Sequence, residues 1–229
     1  MKRLSISLNH GETALGWLYL CLYVFLVPGA LSYLNMLLPR PLSEIRLNLL
    51  FFLVNFISVA FIGYRFLGRS FLALLRTPFR VLRVAVIGLI LYYCANFLLG
   101  LLTTALRPDF VNLNDSSIIH MSRENYTLMS IGTVLLAPPV EEFFFRGLIF
   151  GQLDKRSRLL AYLVSTILFS VIHVAGYISS YDWGLLALSV LQYIPAGLCL
   201  AWAYCRADNI WASIFMHITI NQIGMQTMR

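Results

Sequence analysis

The chain has 229 residues, 59% of them hydrophobic and 12% charged, with a mean hydropathy of +0.78, which excludes an ordinary soluble domain. Seventeen Lys and Arg against 10 Asp and Glu give a formal charge of +7. Many of these cations sit between apolar runs and no basic patch is interleaved with aromatics, so the charge reads as membrane topology and not as nucleic-acid binding.

Apolar runs long enough to cross a bilayer lie near residues 13–38, 46–67, 82–106, 126–153, 158–176, 184–205 and 209–225. They predict an all-α, polytopic integral membrane helix bundle of seven or eight transmembrane helices, with residues 1–229 forming a single membrane domain. The first run follows Met1-Lys2-Arg3, is too long for a signal-peptide core, and contains Pro28-Gly29, a site for a kink. Its Trp17, Tyr19, Tyr23 and Tyr33 suit packing or interfacial positions, and no chemistry is assigned to it. Arg65, Arg69, Arg76, Arg80 and Arg83 form the densest basic segment, which the positive-inside rule puts in the cytoplasm together with Lys2-Arg3 and Lys155-Arg156-Arg158. The expected orientation is N-terminus cytoplasmic. Residues 107–125 read as the only long polar loop, and His120 within it and His10 near the N-terminus read as solvated. The cysteines, Cys21, Cys94, Cys199 and Cys205, have no metal-like spacing and read as packing residues.

Charge inside the fourth run is the feature that composition does not explain. Pro138-Pro139-Val140-Glu141-Glu142-Phe143-Phe144-Phe145-Arg146-Gly147 places three charged residues in an apolar stretch, where each costs about 2.5–3.5 kcal/mol on insertion scales. Glu142 and Arg146 are four apart and share a helix face, so they can form a structural pair; Glu141 is rotated about 100° away and has no local partner. Two later runs carry Phe169-Ser170-Val171-Ile172-His173 and His217-Ile218-Thr219-Ile220-Asn221, each with an i,i+4 polar end. A lone apolar-helix histidine is ordinarily a packing residue. If the three helices converge, Glu141, His173, His217 and Asn221 supply a carboxylate base, two imidazoles and an amide donor, a set able to hydrolyse an amide with activated water.

In order and spacing, Glu141-Glu142-(three residues)-Arg146, Phe169-(three)-His173 and His217-(three)-Asn221 resemble the motifs of the CAAX-protease and bacteriocin-processing family (CPBP), also called the Abi family. Trp211-Ala212-Ser213-Ile214 before His217 adds to the likeness. The resemblance covers residues 126–225, the expected catalytic core. It implies an intramembrane endopeptidase in which Glu141, helped by His173, activates water, His217 and Asn221 stabilise the oxyanion, and Glu142 with Arg146 is architectural. The cofactor is either none or a divalent metal such as zinc, in which case Glu141, His173 and His217 would be its ligands. The expected partners are a peptide or protein substrate at the membrane and the lipid bilayer, in a bacterial plasma membrane. CAAX processing requires a prenylated partner, whereas bacteriocin processing or immunity does not.

Other chemistries lack their residues. The five aspartates lie in loops or at span ends, against an aspartyl dyad, and there is neither HExxH nor GxSxG. Ser213 could pair with His217, but its place on the same helix suits packing. Two other functions stay open on the residues alone: a non-catalytic scaffold or regulator whose polar site holds helices together, and a small proton-coupled transporter. One count conflicts with a shared site. Glu141 and His173 each lie 15 residues from the start of their run, about 22 Å from opposite edges of a core of about 30 Å.

Overall fold

Asn9 opens the first helix with a reciprocal cap, its Oδ1 accepting from Glu12 N at 2.8 Å while Glu12 Oε2 accepts from Asn9 N at 2.9 Å. The computed structural model describes residues 3–227; Lys2, counted above among the N-terminal cations, lies outside the described residues. The described residues form α1 (His10–Phe25), α2 (Val27–Met36), α3 (Glu44–Ile62), α4 (Tyr64–Arg76), α5 (Pro78–Leu106), α6 (Leu113–Glu124), α7 (Tyr126–Asp154), α8 (Arg158–Ile172), α9 (Trp183–Ala207) and α10 (Ile210–Thr227), with no strand among them.

The fold is all-helical, as expected, but the span count differs. By length and hydropathy, α3, α5, α7 and α9 can cross a membrane, and α1 with α2 makes a fifth if the pair, bent by 49°, is one span. Each predicted run became a helix or this bent pair, yet α8 has only 15 residues and α10 is not apolar enough to qualify. The count of seven or eight therefore does not carry over: a hydropathic run marks burial in protein as readily as exposure to lipid. The bend falls at Leu26, with Pro28 in the first turn of α2.

The segment read as a polar loop and the basic segment between the second and third runs both contain a helix. Within residues 107–125, α6 starts at Asn112, whose Oδ1 accepts from Asn114 N, and it buries Leu113 and Met121. Within the basic segment, α4 buries Phe66, Ser70 and Leu74 and leaves Arg65, Arg69 and Arg76 outside. Gly63 separates α3 from α4, and a Cβ there would stand 2.5 Å from the Phe143 ring, so only glycine lets this corner close on α7.

More of the basic residues gather at one end of the molecule than at the other. Ser5 N donates to Asp208 Oδ1, Arg69 to the Ser7 carbonyl, Arg80 to the Arg206 carbonyl, and Arg158 reaches Cys205 Sγ. The opposite end carries the Arg107–Asp182 ion pair, 3.6 Å, and α6. Between the ends α7 is the central element: 61% of its apolar window is buried, against 17% for α3 and for α5, and every residue of Phe143–Phe150 is buried. Its neighbours α8 and α9 pack closely because Gly197 lies against Thr166, where a Cβ would meet the side chain at 2.7 Å.

Candidate active site

The site begins with the backbone of α7. Two stretches, Ile131–Leu136 and Phe143–Phe150, are wound as π-helix and flank the short α-helical turn Ala137–Glu142 that holds the carboxylates. In the first, Ala137 N donates to the Gly132 carbonyl, an i→i−5 bond. Continuing that register would pair residue 138 with the Thr133 carbonyl, but Pro138 has no N–H. The released carbonyl accepts instead from Asn221 Nδ2 of α10 at 2.8 Å. Pro138-Pro139 thus leaves the helix unbroken and turns one of its carbonyls into an anchor for a residue 88 positions away.

Two carboxylates adjacent in sequence face different surroundings. Glu142 is fully buried, 3.2 Å from Arg146 and 2.9 Å from His217 Nδ1. Arg146, also fully buried, donates to the Gly197 carbonyl at 3.1 Å and lies over the Phe169 ring at 4.5 Å. Glu141 Oε2 stands 3.5 Å from His173 Nε2 and 3.7 Å from His217 Nε2, and it is buried with no hydrogen-bond partner.

The partners behind the imidazoles fix their tautomers. His173 Nδ1 lies 2.7 Å from the Phe169 carbonyl, which can only accept, so this nitrogen donates. His217 Nδ1 faces a carboxylate already paired with an arginine and likewise donates. In the neutral rings both Nε2 atoms are then acceptors turned toward Glu141. Three acceptor atoms converge there, an arrangement that takes a proton donor such as water. The donor chemistry would also suit a divalent ion, but the described residues contain no group of three or more His, Cys, Asp or Glu placed to hold one.

Glu141, His173, His217 and Asn221 line one cavity of about 560 Å³. The depth conflict dissolves because α7 has 29 residues, about 43 Å at helical rise, and α8 follows it through a short turn. Measured from that shared turn, Glu141 and His173 stand at similar heights. Ser213 Oγ donates to the Ile210 carbonyl and not to His217. His10 and His120 are exposed. Three cavity residues escaped the sequence reading. Tyr23, in the run assigned no chemistry, lines the cavity; Tyr193 stacks on His173 with centroids 4.3 Å apart; Asp115 accepts from the Tyr193 hydroxyl at 3.3 Å. No local spacing marks any of them.

Residues 123–223, which contain α7 to α9 and most of α10, match the model of the family described as type II CAAX prenyl endopeptidase Rce1-like. This segment is similar to that family. It holds all four residues named above, and the preceding helices lie outside the match. The chain also has a curated relative in Bacillus subtilis (strain 168), named "Putative membrane peptidase YdiL". The two are 32% identical over 95 residues, 41% of this chain and 34% of the relative. The chain thus spans about a third of that relative's length. No solved structure matches significantly. Four helices long and apolar enough to cross a membrane make the chain an integral membrane protein, and its segment 123–223 is similar to a family of endopeptidases.

Proposed function

We propose that the chain is an intramembrane endopeptidase in which Glu141 is the general base. The observation that carries this reading is the buried Glu141 Oε2, without a hydrogen-bond partner and facing two imidazole nitrogens whose other nitrogens are already engaged. A water between them gives a proton to Glu141 while its oxygen attacks the scissile carbonyl carbon. The negative charge that forms on the carbonyl oxygen is met by the second N–H of Asn221, held in place by the Thr133 carbonyl. His217 shares that role once a second proton, taken up from solvent, sits on Nε2 and makes the ring an imidazolium, the Glu142 carboxylate behind Nδ1 balancing the charge. Glu141 then returns its proton to the leaving nitrogen as the C–N bond breaks. His173 orients the water and Glu141, and Glu142 with Arg146 holds His217.

A scaffold explains some of the contacts but not Glu141. The Asn221–Thr133 and His217–Glu142 bonds do tie α10 to α7. A carboxylate kept only for helix packing needs no open space beside it, whereas Glu141 lines the cavity of about 560 Å³. In this reading the protein lies in a bacterial plasma membrane with its basic end cytoplasmic, and it acts on peptide segments that reach the cavity from the membrane. The test is hydrolysis of synthetic peptides by the purified chain in liposomes, followed by mass spectrometry with and without a chelator. The expected result is defined cuts that His173→Ala abolishes and the chelator leaves alone. Proton-coupled flux without cuts would favour a transporter.

A further inference from the structure

The cavity has a second wall that the proposed reaction does not use. Asn96 of α5, Asn112, and Asn114, Asp115 and Ser117 of α6 line it together with Gln192 of α9. Part of this wall is tied together: Asn112 Nδ2 donates to Gln192 Oε1 at 2.9 Å, and Asn114 Nδ2 to the Tyr193 hydroxyl at 2.8 Å. The side chains of Asn96 and Ser117 make no hydrogen bond to the described residues and remain available to a guest.

Asp115 is the charged side chain of this wall, and its bond from Tyr193 is long, 3.3 Å. Burial pushes its carboxyl above the usual carboxylate range, against the opposing pull of Tyr193 and of the nearby His173. No Lys or Arg among the described residues lines the cavity. A free peptide C-terminus would therefore meet Asp115 and Glu141 with no cation to receive it. A Lys or Arg side chain would find a half-buried carboxylate with amide and hydroxyl acceptors around it.

The distance to the reacting groups is also set. Tyr193 stacks on His173 at 4.3 Å and reaches Asp115 with its hydroxyl, so one tyrosine side chain separates subsite from site. An extended peptide covers that gap in about two or three residues at ~3.3–3.6 Å each. We propose that this wall is a side-chain subsite in which Asp115 selects a Lys or Arg of the substrate two or three residues from the bond that is cut. The inference rests on the peptidase reading above and gives it a substrate class: a peptide with an internal cationic residue.

The experiment uses the full chain in liposomes and an equimolar set of synthetic peptides on one apolar scaffold. Each carries Lys, Arg, Gln or Glu at one position, and cuts are mapped by mass spectrometry. The expected result is a preference of about tenfold or more for Lys and Arg over Glu at one fixed position near the cut. Asp115→Asn should remove that preference and Asp115→Lys should turn it toward Glu, read as the ratio of cuts among the peptides at whatever rate each variant retains. A preference that is absent, or that survives both substitutions, overturns the subsite and leaves the peptidase reading standing. Failure of the wild type to cut any peptide removes both.

Discussion

Glu141 and Glu142 share chemistry and differ in neighbours, and their expected mutational signatures follow from that difference. Glu142 and Arg146 are fully buried and paired at 3.2 Å, so removing one partner strands the other. Arg146→Ala should lower stability by about 3–5 kcal/mol, measured by denaturant unfolding in detergent. If Asn221 stabilises the oxyanion as proposed, Asn221→Ala should reduce kcat by about 10²–10³-fold with little change in KM, because its free N–H would meet charge that exists only in the transition state. That Glu141, His173, His217 and Asn221 could meet in one cavity was legible because a polar residue inside an apolar run is costly and because i,i+4 spacing betrays a shared face. Tyr23, Tyr193 and Asp115 were not legible. The sequence has 12 tyrosines, and only the tertiary packing separates one stacked on His173 from the others. Asp115 belongs to a helix that reads as a polar loop.

At the scale of the element, α7 and its two π-wound stretches place the carboxylates. If Pro138 acts by leaving the Thr133 carbonyl to Asn221, Pro138→Ala supplies a competing N–H and lowers activity through Asn221 alone. The double variant Pro138→Ala/Asn221→Ala should then be no slower than Asn221→Ala, a coupling that a kinetic double-mutant cycle measures. Independent, multiplicative losses would show that Pro138 acts elsewhere. Gly197→Ala places a methyl group against Thr166, and overpacking there should cost about 1–3 kcal/mol in thermal unfolding. The position of every long helix could be read from hydropathy. Two features could not. The π winding follows from hydrogen-bond register, which periodicity does not reveal, and α6 is short and polar on its outer face, so its cap and its buried Leu113 and Met121 were the only signals.

For the whole molecule, the excess of basic residues at one end gives the orientation a physical basis. The cavity runs from the buried carboxylates toward the other end, where α6 and the turn at Gly176–Tyr177 line it. With the basic end cytoplasmic, a cysteine at Ser117 should react with a membrane-impermeant maleimide added outside intact cells. One at Ser157 should not, both in a chain lacking Cys21, Cys94, Cys199 and Cys205. The reverse pattern would invert the topology. The all-helical class was legible from composition, but the number of spans was not. α10 buries Ile210, Ile214 and Met216 within the protein, whereas α8 turns Leu159, Leu163 and Ile167 outward and is only 15 residues long, and a hydropathic run in the sequence separates neither case from a full span.

The measurement that bears most directly on the general-base assignment is the peptide cleavage rate of Glu141→Gln against wild type in the same liposomes, with unfolding followed in parallel. The substitution keeps shape and packing and removes the basic oxygen. A loss of about 10²–10⁴-fold in rate at unchanged stability is the expected result. Cleavage at the wild-type rate, or a loss that only tracks lowered stability, would contradict the assignment of Glu141 as the base.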